Sequence, residues 1–339
     1  MNRTLMVRFL SILVLAGCGR TSLPSMTAPV AVPDWLNSAK AHQKAYWTLF
    51  AGPQYPQVEI AGVPMTTKSK VANVESAPSN NLLYTSAITF YKGHLWVLSF
   101  GTSHGSPNSV LEFDLPLKPK SKPHRTFVLG NTSGGDAIAF DPKGHLWVSS
   151  VANNDLLQYE GPFQKSGTLQ PAATISGGTF KSYAIAFNKA GTLYVSVNDG
   201  GSSNSIAVLK PPYKGKPFFL TGLTNAGAVA ADNDGNLYAS TNGPSSAPAL
   251  VRYNANNIKK GAKPDIIDTA GLPANSYLAG FAFTSKGDLY VANCGNAGSA
   301  GIDVYPLSKK TFSAHLRPSV EYTNADITGA GCAWGIAIH

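Results

Sequence analysis

Charge is scarce in this chain, and negative charge is scarcest. Only 13% of its 339 residues are Asp, Glu, Lys or Arg, about half the share usual in globular domains. Eighteen acids stand against 27 bases. The basic excess does not form a nucleic-acid footprint. Lys118, Lys120 and Lys122 sit in a Pro-rich connection without interleaved aromatic residues to stack on bases. No nucleic-acid partner is expected; sparse charge with a basic balance instead suits attraction to anionic lipid or polysaccharide. Cysteine is also rare. None of Cys18, Cys294 and Cys332 has the His or Cys companions that a zinc site needs. Long apolar runs are missing as well, since Phe9 to Leu15 is too short for a membrane span.

That short run belongs to a leader. Arg3 and Arg8 give a basic start and Ala16-Gly17 a small-residue exit, the layout of a secretory signal over residues 1–17. Leu15-Ala16-Gly17-Cys18 resembles a bacterial lipobox. The resemblance implies lipidation of Cys18, with Gly19 after it pointing to the outer membrane. Acyl chains contributing ~0.8 kcal/mol per buried methylene would hold the protein on a membrane. Residues 18–33, with Pro24, Pro29 and Pro33 among small residues, read as a tether. Loss of the two leader arginines lowers the net charge from +9 to +7. Cys294 and Cys332 then form an even pair in an oxidising compartment, where a disulfide is the default.

The remaining chain, 34–339, repeats itself. Ala87-Ile88-Thr89-Phe90 to Gly93-His94-Leu95-Trp96-Val97 returns as Ala137-Ile138-Ala139-Phe140 to Gly144-His145-Leu146-Trp147-Val148. Three more copies centre on Gly191, Gly235 and Gly287, at intervals of 51, 47, 44 and 52 residues from Gly93 onward. Short strands at such a period mean propeller blades. Each copy holds a small apolar first strand, a turn such as Asp141-Pro142-Lys143-Gly144, and a second strand carrying a Trp or Tyr. The Leu and Val of that strand are expected to face one neighbouring blade and the aromatic the other. A sixth inner strand, Trp334 to His339, ends the chain. Its partners are expected at Tyr46 to Phe50, Val58 to Ala61 and Lys70 to Val74, which closes the ring and removes open edges. The prediction is an all-β, six-bladed β-propeller sealed by pairing the C-terminal strand with N-terminal strands, with a short helix over Asp34 to Lys44 outside it.

The wording AIAFDPKGHLWVSS…NND resembles NHL repeats over most of residues 87–305, and through them six-bladed proteins of the SMP-30/gluconolactonase and strictosidine-synthase type. That resemblance implies the fold, but not one activity, because such propellers bind proteins, RNA or glycans and some catalyse reactions.

Propeller geometry gathers the loops after each second strand and before each first strand on one face. Those loops carry Asp136, Asn153, Asn154, Tyr183, Asn198, Asp199, Asn225, Asn242, Tyr277, Asn293 and Trp334. The asparagines have two open readings: they make tight turns, or they contact a ligand such as calcium, a sugar or a peptide. Cys294 and Cys332 lie on this face in adjacent blades, where a disulfide would stabilise closure by about 2–4 kcal/mol. Gly101-Thr102-Ser103-His104-Gly105 fits G-x-S-x-G, but Pro107 and a strand follow rather than the helix this nucleophile needs. His94 and His145 occupy equal places on the opposite face, a structural hairpin pattern. An SMP-30-like lactonase would need an inward glutamate, yet Glu59, Glu75, Glu112, Glu160 and Glu321 fall on outer segments. The virginiamycin-lyase branch also resembles this repeat, but its Glu-x-His pair is lacking. No catalytic residue is assigned. The expectation is a monomeric, lipid-anchored envelope protein without a cofactor, whose loop face binds a protein or glycan. The alternative is a metal-assisted hydrolase or lyase holding Ca2+ through Asp136, Asp199 or nearby asparagines.

Overall fold

In every repeat, four short runs of alternating or wholly apolar residues lie down as neighbouring strands. The computed structural model describes residues 43–49, 56–66, 68–75, 85–99, 108–118, 121–130, 132, 134–135, 137–151, 153–176, 182–197, 205–241, 248–268, 277–294, 301–308, 311–313, 316–323 and 332–339. The leader, Cys18, the tether and positions 34–42 of the expected helix lie outside these residues, as does Gly101 to Gly105; Lys44 opens a strand instead.

Three N-terminal strands come first: β1 Lys44–Leu49, β2 Pro56–Gly62 and β3 Val71–Glu75. Blade 1 follows as β4 Thr85–Tyr91, β5 His94–Ser99, β6 Ser109–Phe113 and β7 Arg125–Leu129. Next come β8 Ile138–Phe140, β9 Leu146–Ser150, β10 Asp155–Tyr159, β11 Gly167–Leu169 and β12 Ala173–Ser176; all but β11 form blade 2. Blade 3 is β13 Ser182–Phe187, β14 Leu193–Val197, β15 Ser205–Leu209 and β16 Phe218–Leu220. Blade 4 is β17 Ala226–Ala231, β18 Leu237–Thr241, β19 Ala249–Tyr253 and β20 Ile266–Asp268. Blade 5 is β21 Tyr277–Phe283, β22 Leu289–Cys294, β23 Gly301–Tyr305 and β24 Val320–Thr323. The last strand, β25 Ala333–Ile338, completes a sheet of order β25-β1-β2-β3. The ring therefore has six blades and closes as expected, with Tyr46 opposite Ala337 and Lys44 and His339 exchanging backbone hydrogen bonds of 2.8 and 2.9 Å.

The β11 strand was not expected. It leaves blade 2 and adds in parallel to the outer edge of blade 1, Gly167 opposite Phe127, giving that sheet a fifth strand. An outer edge is thereby covered.

The first-to-second-strand turns work through side chains. Asp141 accepts from the backbone N–H of Lys143 at 2.9 Å and of His145 at 3.0 Å, while Gly144 adopts φ +87°. Asp232, Asn188 and Thr284 play the same part by accepting from Asn236, Thr192 and Asp288. Short polar side chains that bond the backbone ahead are what such turns select.

Packing between blades follows the expected alternation. Trp96 joins Leu146 and Val148 in one buried cluster, Trp147 joins Leu193 and Val195, and Tyr194 joins Leu237 and Ala239. Tyr238 joins Leu289 and Val291, Tyr290 joins Trp47 and Ile336, and Tyr46 joins Leu95 and Val97. The six clusters are the six seams of the ring.

At the axis the inner strand bends, and in four of the six blades a hydroxyl from the second strand repairs the broken ladder; blades 1 and 5 carry Leu98 and Ala292 at that place. The Ala137 N–H donates to Ser149 Oγ at 2.9 Å, Ala184 to Ser196 at 2.8 Å, Ala228 to Ser240 at 2.8 Å and Gly335 to Thr48 at 2.8 Å. Ser240 Oγ also donates to the Leu278 carbonyl of the next blade at 2.9 Å. The inner strands then approach so closely that side chains are excluded. A Cβ on Gly335 would lie 2.9 Å from Ala87 Cα, and one on Gly280 2.4 Å from the Trp334 carbonyl oxygen.

Two stability measurements follow. Ser240→Ala removes the partner of the buried Ala228 N–H and should cost about 1–3 kcal/mol in denaturant unfolding. Gly335→Ala, which must push two backbones apart, should cost about 1–3 kcal/mol or more. An unchanged midpoint for either variant would contradict the packing described.

Candidate functional site

Six inner strands wall an axial cavity of about 80 Å³. Its lining is Ala87-Ile88, Ala137-Ile138, Ala184-Ile185 and Ala228-Val229, then Ala279 to Phe281 and Trp334 to Ile336. Among the described residues Ser86 supplies the single side-chain oxygen of the wall, and its hydroxyl donates to the Gly135 carbonyl at 3.2 Å. Calcium takes six to eight oxygen ligands. These alkyl walls do not fit it. Among the described residues no group of three or more His, Cys, Asp or Glu side chains converges as metal ligands would.

The mouth of this cavity is the loop face read from the sequence. Tyr277 opens β21 and pairs with Cys294 at the end of β22. Cys294 is disulfide-bonded to Cys332, with Cα atoms 4.6 Å apart. Trp334 lies two residues further on, and its ring stacks on Tyr277 with centroids 5.5 Å apart and planes at 20°. The disulfide and the stacked pair thus span the same seam, between blade 5 and the closing blade. Both aromatic side chains are partly exposed, and Trp334 lines the axial cavity.

The other candidates do not all join them. Asn153 is exposed in the β9–β10 turn, where its neighbour Asn154 takes φ +55°, a turn conformation that Asn tolerates. Asn225 is half-buried just before β17. Tyr183 lies in β13. Asp136, Asn198, Asp199 and Asn242 lie outside the described residues. Asn293 is only 3% exposed, and its amide donates to Asp303 Oδ2 at 3.0 Å. Strand β22 runs on past Asn293 to Cys294, so the position is a strand interior facing β23 rather than a free turn.

On the opposite face, His94 and His145 serve their hairpins by holding carboxylates. His145 Nδ1 is 2.8 Å from Asp141 Oδ2, and His94 Nδ1 3.0 Å from Asp114 Oδ1. Burial tends to raise the Asp141 pKa, but hydrogen bonds from the His145 backbone and ring and from Trp147 outweigh it, holding this carboxyl below its ordinary range.

Asp303 behaves oppositely. Burial pushes its carboxyl up to about 6, with the Asn293 hydrogen bond opposing and the Glu321 charge adding. A carboxyl whose folded pKa is raised binds more protons folded than unfolded between about pH 4 and 6. Its contribution is complete below the unfolded value and is lost as pH rises through about 6. Asp303→Asn keeps an acceptor for Asn293 and removes this titration. The variant should match the parent near pH 4 and exceed it by about 1–3 kcal/mol at pH 8 in urea unfolding. An identical pH slope in both proteins would remove Asp303 as the cause.

No family model and no curated protein matches the chain. Solved structures do. A functionally unknown protein from Desulfotomaculum acetoxidans superposes with TM-score 0.53 at 15% identity, covering 86% of this chain and 88% of that one. A protein of unknown function from Bacteroides caccae gives 0.50 at 12% identity over 88% and 99%. A catalytically inactive virginiamycin B lyase from Staphylococcus aureus, solved with quinupristin, gives 0.50 at 11% identity over 83% and 86%. At such identities the likeness is one of fold, and the chain is a six-bladed β-propeller similar in architecture to proteins of differing roles.

Proposed function

We propose that this protein is an exported, lipid-anchored envelope protein whose propeller binds a glycan or protein partner at the axial loop face. One observation carries the choice of binding over axial catalysis. Beside an alkyl-walled axis stands a rigid, partly exposed aromatic pair, Tyr277 on Trp334, braced by the Cys294–Cys332 disulfide. Aromatic residues held in place by a disulfide present a large contact area at little cost in conformational entropy. They suit the C–H face of a sugar or an apolar side chain of a partner. The anchor rests on the Leu15 to Cys18 motif and the proline-rich tether after it.

The test uses the mature protein immobilised by its lipidated end against solubilised envelope glycans and proteins. Trp334→Ala and Tyr277→Ala should each weaken retention about tenfold, as central aromatic contacts do, with melting temperatures recorded to confirm folding. Calcium and a chelator should leave the melting temperature unchanged. Retention indifferent to both substitutions, or a calcium-dependent rise in melting temperature, would overturn the proposal, the second outcome in favour of metal-assisted chemistry.

A further inference from the structure

A second cleft, of about 440 Å³, opens on the face opposite the axial loops, between blades 1 and 2. That volume falls within the range of small-molecule sites, roughly 300–1,000 Å³. One wall is the unexpected strap. The segment before β11 is tied to blade 1 by Arg125 Nε on the Gln164 carbonyl at 3.0 Å and by Thr126 N–H on Ser166 Oγ at 3.0 Å. This places Phe163 over the cleft, 5.6 Å from the Trp96 ring. Opposite stand the β4–β5 and β8–β9 turns, bringing Lys92 and Lys143 to the rim.

Trp96 marks the cleft as more than a gap. In the closing blade, Trp47 Nε1 donates to Glu59, its cross-strand neighbour, at 2.6 Å. In blade 2, Trp147 Nε1 donates to Asp141 at 3.2 Å. Trp96 also faces a glutamate across the strands, Glu112. Both oxygens of that carboxylate accept from Arg125 Nη1, at 2.9 and 2.7 Å. The Trp96 indole N–H, in a residue 2% exposed, is left without a partner at the floor of the cleft. A buried donor left unmade costs free energy unless something fills it.

The charges are sorted in a similar way. Arg125 is neutralised by Glu112, His145 lies against Asp141 and His94 against Asp114. Lys92 and Lys143 have no carboxylate at ion-pair distance among the described residues. The Lys92 ammonium instead lies 5.2 Å from the Tyr91 ring centroid. The cleft thus offers two uncompensated cations at its mouth and aromatic faces on Tyr91 and Phe163. Deeper in, an Arg–Glu pair can both donate and accept, beside an unmet indole N–H.

We infer that this cleft binds an acidic sugar, a pyranose bearing a carboxylate. The carboxylate matches the lysines, the ring C–H face the aromatic wall, and the hydroxyls the Arg125–Glu112 pair and Trp96. A bare oxyanion would leave the aromatic wall unmatched, and a neutral sugar would leave the lysines so. The site is separate from the loop face and does not depend on what binds there.

Titration of the full chain with glucuronate, followed by calorimetry and by the Trp96 indole NMR resonance, is the test. Saturable binding at about millimolar or tighter should shift that resonance. Trp96→Phe, which keeps the ring packing, and the surface pair Lys92→Gln with Lys143→Gln should each weaken binding about tenfold. Trp334→Ala should leave it intact, so loss of the loop-face ligand and loss of this one are told apart. Absence of glucuronate binding, indifference to both sets of substitutions, or equal binding of glucose or inorganic phosphate would each overturn the assignment.

Discussion

Six backbones meet at the centre of this molecule with almost no space between them, and that crowding governs the rest. Ala and Gly, with Ile or Val beside them, make up most of the wall where the inner strands converge, and at Gly335 and Gly280 not even a methyl group fits. Strands this close cannot keep an unbroken ladder, so each bends. In four of the six blades the buried amide at the bend is met by a hydroxyl one strand outward: Thr48, Ser149, Ser196 or Ser240. Ser86, the one polar side chain among the described residues of the axial wall, is small and spends its hydroxyl on the Gly135 carbonyl. Chemistry is therefore displaced from the axis to the two rims. The arrangement differs from an axial metal site, where side-chain oxygens must reach the centre from several blades.

Much of the fold was legible because the propeller states its rules five times over. Aspartate, asparagine or threonine before a positive-φ glycine fixes four of the five inner hairpins, positive φ at Lys92 and Gly93 the fifth, and an aromatic in the second strand fixes which seam it fills. The closing strand was legible for a simpler reason: an inner-strand motif at Trp334 to His339 had no partners after it, and the N-terminus had three strands with no inner strand. What escaped notice depends on contacts between segments without a shared pattern. The strap at Gly167–Leu169 is short, exposed and made of Gly, Thr and Leu. It becomes a strand only because the edge of β7 is there to receive it. The bend hydroxyls were visible as a recurring Ser or Thr, but their purpose appears only once the inner strand's register shift is seen.

The candidate site was less legible, and the reason is the way a strand alternates. Reading Asn293 as a loop residue assumed that β22 ended before it. The strand continues to Cys294, and one further residue of pairing turns a side chain from the rim into the space between strands. Trp96 shows the same limit from the other side. Its repeat is nearly the wording of the one holding Trp147, yet the two indoles differ: Trp147 donates to the turn residue Asp141, whose place in the first repeat is taken by Tyr91, and the carboxylate across from Trp96, Glu112, is held by Arg125 of the outer strand. Repeats predict the frame; the exceptions lie in single positions that break the repeat and in residues contributed from outside it.

Those exceptions also explain how a weakly charged protein can present a cationic cleft. Five acidic residues among the described ones, Glu59, Glu112, Asp141, Asp268 and Asp303, are buried, whereas no lysine or arginine is. Glu59 meets an indole, Asp141 a turn, a histidine and an indole, and Glu112 an arginine. Glu59, Glu112, Asp141 and Asp303 are turned inward onto donors of their own or adjoining segments, which removes them from the exposed surface. The surface is then more basic than the composition alone states, and lysines at turn tips such as Lys92 and Lys143 have few acids near them to pair with. Scarcity of acid, first noticed as a gap in the composition, thereby becomes the condition that leaves two rim cations free for an anionic partner.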